Sequence, residues 1–479
     1  MSETMATEQA RIQGSKIRVD ILGVVGAIVA TAVVLLLPTP QGLSPEGQRL
    51  GAVFIGILVL WSTEALPIAV TSVLALALQP IFDLGTLGAA FTSFVSPVFF
   101  FVLVMFTIAY AWVKTGLARR FALFLIAKAG SDTKRVLFVF MLGTGLLSMF
   151  VSDVPCAAIF MGIALGIFGK LKLEPGSRFA RAIMMGIPIA ALIGGVGTPA
   201  GSSINILGLT MIEQNGGARV PFLHWMAIGI PMVLILLPFA AWVLTRVCPP
   251  EIQSIGDPEE IHGERRQLGR MSPGEWKVIV IMTLMITFWV LSTWVPAFDV
   301  VLVGICGASL MFLPGIKLFS WKEVQNATGW DALLMIGGVT SLGAASARTG
   351  LAKWLAVSVL GGLEDWNIVL VLVAISAFTV AIHLMLPIAP VINAVMIPPI
   401  MVLGAAAGVN PVLYALPVVF TASCAFLLPL DAVPLVTYSK GYYKMLDMLL
   451  PGVIISIVWV IVMTAILMLI GPMVGLLEY

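Results

Sequence analysis

The chain has 479 residues, 60% of them apolar and 10% charged, with a net charge of +2 and a mean hydropathy of +1.07. Soluble domains carry roughly 25% charged residues, so a soluble domain is excluded and a polytopic membrane protein is indicated. A net charge this small gives no basis for a nucleic-acid partner. Cys156, Cys248, Cys306 and Cys424 lie far apart without CxxC spacing. That pattern fits small apolar filler better than a disulfide framework or a zinc site.

Residues 1–19 are polar, with Arg11, Lys16 and Arg18 just before the first apolar run. No small-residue cleavage site follows in the usual position, so an uncleaved, cytoplasmic N-terminus is expected. Ile21–Leu37 predicts a short first span closed by Pro38 and Pro40. The run from Gly51 to Phe82 is interrupted at Trp61-Ser62-Thr63-Glu64-Ala65-Leu66-Pro67, which predicts two helices with Glu64 capping the second. Residues 96–113 predict another span, ended by Lys114 and a cluster with Arg119, Arg120, Lys128, Lys134 and Arg135. Phe99–Phe101 reads as lipid-facing or packing surface.

Val136–Gly169 is apolar except at its start and at its centre, Ser148-Met149-Phe150-Val151-Ser152-Asp153-Val154-Pro155. An ionisable residue at membrane depth is costly and marks a functional site by default; the alternative is an Asp ending a helix at the lipid–water boundary. The basic residues on both flanks, including Lys170, Lys172, Arg178 and Arg181 on the far side, put both ends in the cytoplasm. A re-entrant hairpin with a non-helical tip follows, tolerated only inside protein or a wet cavity. The next run breaks at Gly194-Gly195-Val196-Gly197-Thr198-Pro199-Ala200-Gly201-Ser202-Ser203-Ile204-Asn205. Small side chains and unpaired backbone there suit an ion or anion better than packing. A span at 222–246 leads to Cys248–Lys277, a loop holding Glu251, Asp257, Glu259, Glu260, Arg265, Arg266 and Arg270, expected to be a solvated linker.

The second half repeats this plan. Thr115-Gly116-Leu117-Ala118-Arg119 recurs as Thr349-Gly350-Leu351-Ala352-Lys353, an offset of 349 − 115 = 234. A similar offset carries Ser152 to the break His383-Leu384-Met385-Leu386-Pro387-Ile388-Ala389-Pro390. It also carries Gly201 to Leu428-Pro429-Leu430-Asp431-Ala432-Val433-Pro434. Paired interrupted spans at matching places in two halves point to a transporter's binding site.

These residues carry a resemblance to the divalent anion:sodium symporter family, the carriers of dicarboxylates, citrate and sulfate. Trp61–Pro67 resembles the family's W-x-T-E-A-[IL]-P signature, and Gly194–Thr198 with Gly201 and Asn205 is similar to its GGxGTxxGxPPN stretch. Ala422-Ser423-Cys424-Ala425-Phe426-Leu427-Leu428-Pro429 is similar to its ASCAFMLP stretch, and Ser148–Ser152 to the run into its first Ser-Asn-Thr motif. Members usually carry Ser-Asn-Thr at both hairpin tips. Here the tips read Ser152-Asp153-Val154 and Ile388-Ala389-Pro390, and Asp431-Ala432-Val433-Pro434-Leu435 replaces Ala-Thr-Pro-Pro-Asn.

The resemblance implies an all-α membrane protein of two inverted repeats, each with a re-entrant helical hairpin and a broken helix, working as an elevator-type ion transporter. It implies a homodimer. It also implies sodium sites, one at Ser148, Ser152, Asp153 and Gly201, the other at Leu384, Pro387, Ala389 and Asp431. Substrate would lie against Ser152, Asp153, Val154, Ser202 and Ser203 from one half, and Ile388, Ala389, Pro390 and Ala432 from the other. The second tip offers backbone amides alone, so an anion with one strongly polar end and one smaller or more apolar end is expected.

The expected organisation is a cytoplasmic segment 1–19, scaffold spans 20–130, a transport region 131–246 (hairpin 136–169, broken helix 182–212) and a cytoplasmic linker 247–277. Scaffold spans 278–360 and a transport region 361–479 (hairpin 368–403, broken helix 412–438) complete it. The expected activity is sodium-coupled symport of a small di- or tricarboxylate-like anion across the inner membrane, with no enzymatic reaction. Buried carboxyls also permit a proton as coupling ion, and exchange, an anion channel or an intramembrane hydrolase built on Ser152, Asp153 and His383 are the alternatives. Adjacent Ser and Asp cannot both flank one imidazole, which argues against the hydrolase. His383 reads as a packed, satisfied histidine, and Asp331 and Arg348 as interfacial residues at opposite ends of one span.

Overall fold

The computed structural model describes residues 20–255, 263, 268–363, 365–386 and 388–476. Among them the architecture is all-helical: an isolated bridge between Asp132 and Ser254 is the one β-type pairing. Seven helices are long and apolar enough to cross a membrane, the longest being Leu87–Thr115 (with one short break), Phe222–Val247 and Met445–Ile470.

After a first apolar helix, Asp20–Leu36, ten helices recur in the same order. Pro45–Thr63, Ile68–Ile81, Leu87–Phe94, Pro97–Thr115 and Leu117–Ala129 are matched by Pro273–Leu291, Val300–Leu310, Trp321–Ala327, Trp330–Arg348 and Leu351–Val359. Thr133–Ser148, Asp153–Leu171, Arg178–Gly195, Ser203–Gln214 and Phe222–Val247 are matched by Ile368–Ile382, Ala389–Ala406, Pro411–Thr421, Ala432–Tyr438 and Leu449–Ile470. The starting residues stay nearly in register, from 273 − 45 = 228 through 389 − 153 = 236 to 449 − 222 = 227. The repeated pentapeptide is the joint between the fourth and fifth helices of each set. Gly116 (φ 82°) and Gly350 (φ 77°) adopt the left-handed conformation there. An added Cβ would meet nothing within 4 Å at either position, so conformation rather than space selects glycine.

A second repeated device anchors the broken helices. Trp225, from the span after the first break, donates its indole N–H to the Val196 carbonyl at 2.8 Å. Trp459, 459 − 225 = 234 residues later, donates to Thr421 Oγ1 at 3.3 Å. Each indole thereby satisfies a polar group exposed by the break. The Trp225 ring also stacks on Phe420 with centroids 4.1 Å apart, so the span after the first break packs on the helix before the second.

Two sequence expectations change here. Glu64 does not cap the second helix of its pair: it ends Pro45–Thr63 in a left-handed conformation (φ 49°), and the following helix, Ile68–Ile81, has Pro67 as its N-cap and no side-chain capping bond. The Ala69 N–H of that helix instead meets Asp331 Oδ1 at 3.4 Å, an acid from the other repeat. The loop after Val247 is not uniformly solvated, since Glu251 accepts from the Ser177 hydroxyl and the Phe179 N–H. Thr133 Oγ1 likewise donates to the Ile252 carbonyl. Burial pushes the Glu251 carboxyl up, but these hydrogen bonds and Arg178 outweigh it and hold the group below its usual range. Asp257, Glu259, Glu260, Arg265 and Arg266 lie outside the described residues. Phe99–Phe101 divides: Phe101 is fully buried and Phe100 is exposed.

Candidate functional site

The first hairpin turns between Ser148, where one helix ends, and Asp153, where the next begins. Ser152 is the N-cap of the second arm, yet its side chain makes no capping bond, which leaves that hydroxyl uncommitted. Pro155 falls in the first turn, where its missing N–H costs nothing. The Asp153 carboxyl occupies the same turn, where the helix dipole favours negative charge. Asp153 is buried, and Ser148 Oγ donates to its Oδ1 at 2.6 Å. Ser202, the N-cap of Ser203–Gln214, accepts the Ile204 N–H through its hydroxyl at 3.4 Å.

The glycine-rich break packs directly on this tip. None of Gly194, Gly195, Gly197 or Gly201 has a positive φ; space is what they supply. A Cβ on Gly195 would lie 2.2 Å from Asp153 Oδ1. One on Gly201 would lie 2.4 Å from the Gly195 carbonyl and 2.9 Å from the Ser148 carbonyl. Thr198 Oγ1 donates to the Met149 carbonyl at 2.6 Å and ties break to tip. Asn205 donates its amide N–H groups to the Gly195 (2.8 Å) and Thr198 (3.0 Å) carbonyls. Its Oδ1 is buried without a hydrogen-bond partner among the described residues. Ser148 carbonyl and hydroxyl, Asp153 carboxylate, Gly195 carbonyl and Asn205 Oδ1 therefore form a buried cluster of hard oxygens. Such a donor set suits an alkali cation better than a transition metal. No group of three His, Cys, Asp or Glu side chains is gathered anywhere among the described residues.

The second hairpin turns between Ile382 and Ala389. Ile388 is the N-cap of the second arm and Pro390 falls in its first turn. Asp431 is the N-cap of Ala432–Tyr438, with Oδ1 accepting the Val433 N–H at 3.4 Å. Asp431 and His383 line one small cavity together with Leu384. His383 is buried and its Nδ1 lies 3.2 Å from the Thr379 carbonyl, but Nε2 has no hydrogen-bond partner among the described residues. The expectation of a satisfied histidine is therefore met at one ring nitrogen and fails at the other. Pro387 lies outside the described residues.

A cavity of about 410 Å³ lies between the two interruptions and is lined by both halves. From the first repeat it is lined by Ser152, Asp153 and Val154 of the tip and by Ser202 and Ser203 of the broken helix. The second repeat contributes Ile388, Ala389 and Pro390 of its tip, with Asp431 and Ala432 of its broken helix. Ser148 and Gly201 sit behind this wall around the Asp153 carboxyl, while Leu384 is exposed and belongs to the small cavity beside it. The opposite wall is Trp61, Glu64, Ile68, Met335 and Ile336 from the early helices of both repeats. Sequence reasoning missed Asn205 and Ser423 as site residues. Both stand inside motifs already noted, but only proximity separates a motif residue that faces a cavity from one that packs.

A family model described as the sodium:sulfate symporter transmembrane region matches residues 18–477. The chain belongs to this family. It is 29% identical over 486 residues, covering 95% of this chain and 92% of the relative, to the sodium-dependent dicarboxylate transporter SdcS of Staphylococcus saprophyticus. Two solved structures share the fold. MtrF of Neisseria gonorrhoeae, described as illuminating a class of antimetabolite efflux pumps, aligns with a TM-score of 0.53 at 15% identity, over 94% of each chain. The YdaH transporter of Alcanivorax borkumensis aligns with a TM-score of 0.51 at 14% identity, over 96% of this chain and 98% of its own. The family member described here is thus a multi-pass membrane transporter, not an enzyme.

Proposed function

We propose that the protein is a secondary active symporter that couples sodium to the uptake of a small organic anion of the carboxylate class. The observation that supports this most directly is the convergence of both helix interruptions on one cavity, with the oxygen cluster around Asp153 immediately behind its wall. The unpartnered Asn205 Oδ1 and the glycines that admit close oxygen approach fit a bound sodium ion. Ser148, Asp153 and backbone at Gly195 and Gly201 would hold it, with Ser152 at its edge. A second ion would lie near Asp431, the Leu384 and Ala389 backbone and Pro387. SdcS, a sodium-dependent dicarboxylate transporter by name, supports sodium as the coupling ion.

With cations neutralising Asp153 and Asp431, an anion can rest between the tips. Hydroxyls at Ser152, Ser202 and Ser203 and backbone at Val154 would hold one end. Ile388, Ala389, Pro390 and Ala432 would enclose the other. Movement would follow an elevator scheme, with 131–246 and 361–479 carrying the site against a scaffold of 20–130 and 278–360. The opposite cavity wall, Trp61 to Ile68 with Met335 and Ile336, comes from that scaffold and would be left behind in transit. A homodimer in the inner membrane with a cytoplasmic N-terminus completes the reading.

A proton in place of the second sodium is a second reading, favoured by the cavity that His383 shares with Asp431 and by the free Nε2. Concentrative uptake of radiolabelled carboxylates into proteoliposomes, under an imposed sodium gradient or an imposed pH gradient, separates the two. Equilibration without concentration would indicate a channel and sink both. Asp153→Asn should abolish the sodium dependence while the protein remains monodisperse; an unchanged sodium response removes Asp153 from the cation site.

A further inference from the structure

The wall that the second repeat gives to the cavity carries one side-chain hydroxyl among the described residues, that of Ser423. Ser423 is 3% exposed and its Oγ has no hydrogen-bond partner among the described residues. Its neighbours are committed elsewhere: Thr421 Oγ1 accepts from the Trp459 indole, and the Cys424 thiol meets the Phe420 carbonyl at 3.5 Å. The backbone on either side is thus fixed by other contacts, and the Ser423 hydroxyl holds nothing together. A buried hydroxyl left unpaired is costly, and the cavity it lines is the nearest source of a partner.

We propose that Ser423 determines specificity by hydrogen-bonding a neutral oxygen, a hydroxyl or carbonyl, on a small monocarboxylate. The inference rests on the reading of the cavity as the substrate site, and it names the substrate class. The first repeat gathers hydroxyls at Ser152, Ser202 and Ser203 for one carboxylate. On the second repeat's side Ser423 stands on the same wall as the Asp431 carboxyl, and no lysine or arginine lines the cavity among the described residues. With the Asp431 charge matched by a cation, a second carboxylate placed there would still find a single side-chain hydroxyl to receive its two oxygens. A neutral oxygen needs no more than that one hydroxyl, and Leu430, Val433 and Ile388 offer apolar surface to the carbon skeleton. The hydroxyl reaches the cavity by rotation about one side-chain bond, a change among ordinary staggered positions.

The test is competition against sodium-driven uptake in proteoliposomes, using hydroxy-, oxo- and unsubstituted monocarboxylates of three to five carbons, with succinate alongside. The hydroxy and oxo acids should compete at least tenfold better than the unsubstituted acids and than succinate. Ser423→Ala should erase that advantage while leaving the unsubstituted acids unchanged, and Ser423→Thr should retain it. An advantage that survives in Ser423→Ala, an equal loss for every acid, or succinate as the best competitor overturns the proposal. Sodium-driven uptake of the unsubstituted acids in Ser423→Ala shows that the variant is folded. If no carboxylate is concentrated by a sodium gradient even in the unaltered protein, the parent reading fails first and the inference falls with it.

Discussion

Gly195→Ala tests the cation cluster through space alone, without touching a charged residue. The new methyl would stand 2.2 Å from Asp153 Oδ1, 2.9 Å from Cγ and 3.1 Å from Oδ2, whereas ordinary contact begins at 3.4 Å. The carboxyl must retreat by about 3.4 − 2.2 = 1.2 Å. A shift of that size breaks the 2.6 Å bond from Ser148 or drags both arms of the hairpin tip apart. Overpacking of this kind costs about 1–3 kcal/mol, of which the helix preference for alanine over glycine returns up to about 1 kcal/mol. The variant should therefore fold, with a modestly lowered unfolding temperature. Sodium binding should suffer more, because one ligand oxygen has left its position: a tenfold loss of affinity, about 1.4 kcal/mol, is the least expected. Unfolding temperature as a function of sodium concentration in detergent reads both effects. Gly166→Ala, where the methyl meets nothing within 4 Å, is the control. A Gly195→Ala protein whose half-saturating sodium matches that of the control would refute the placement of the ion beside Asp153.

Other expectations follow from single contacts. Trp459→Phe removes the indole bond to Thr421 and Trp225→Phe the bond to the Val196 carbonyl; each should destabilise by about 1–3 kcal/mol in thermal unfolding. Arg120→Ala strips Glu275, which is buried and bonded at 2.5 Å to the Arg120 Nε, of its partner. A loss of about 2 kcal/mol is expected, below the range for fully buried pairs because the arginine is partly exposed; adding Glu275→Ala should then cost only its capping bond from the Ser272 N–H, about 1 kcal/mol. Glu323 is held at about 2, chiefly by its hydrogen bond from Lys114 and then by the Ser320 N–H. A depressed carboxyl stabilises the fold fully above its ordinary value of 4.5 and loses that contribution as pH falls towards 2. Unfolding temperature should decline across that window, and Glu323→Gln should flatten the decline.

Composition and pattern were enough to determine the class of this protein: a chain 60% apolar must bury its backbone polar groups in helices if it enters a bilayer. The interruptions were legible for the same reason, because Asp153 and the glycines between 194 and 201 break apolar runs where water cannot pay for them. The repeat was legible because Gly116 and Gly350 need a conformation that other residues adopt poorly. What only the tertiary structure decided is which polar groups meet. Glu64 reads as a cap until Asp331, 331 − 64 = 267 residues away in the chain, is found at the helix start instead. The glycines read as a place for an ion or anion, and only the fold shows that at Gly195 the carboxyl of Asp153 stands where a Cβ would be. Ser423 and Asn205 stood in the sequence as motif residues without a role, and what sets them apart is an oxygen without a partner among the described residues. Helix formation and membrane insertion depend on neighbours three or four residues apart and on mean polarity, both written in the sequence. Pairing across the two repeats depends on distances that no local pattern encodes.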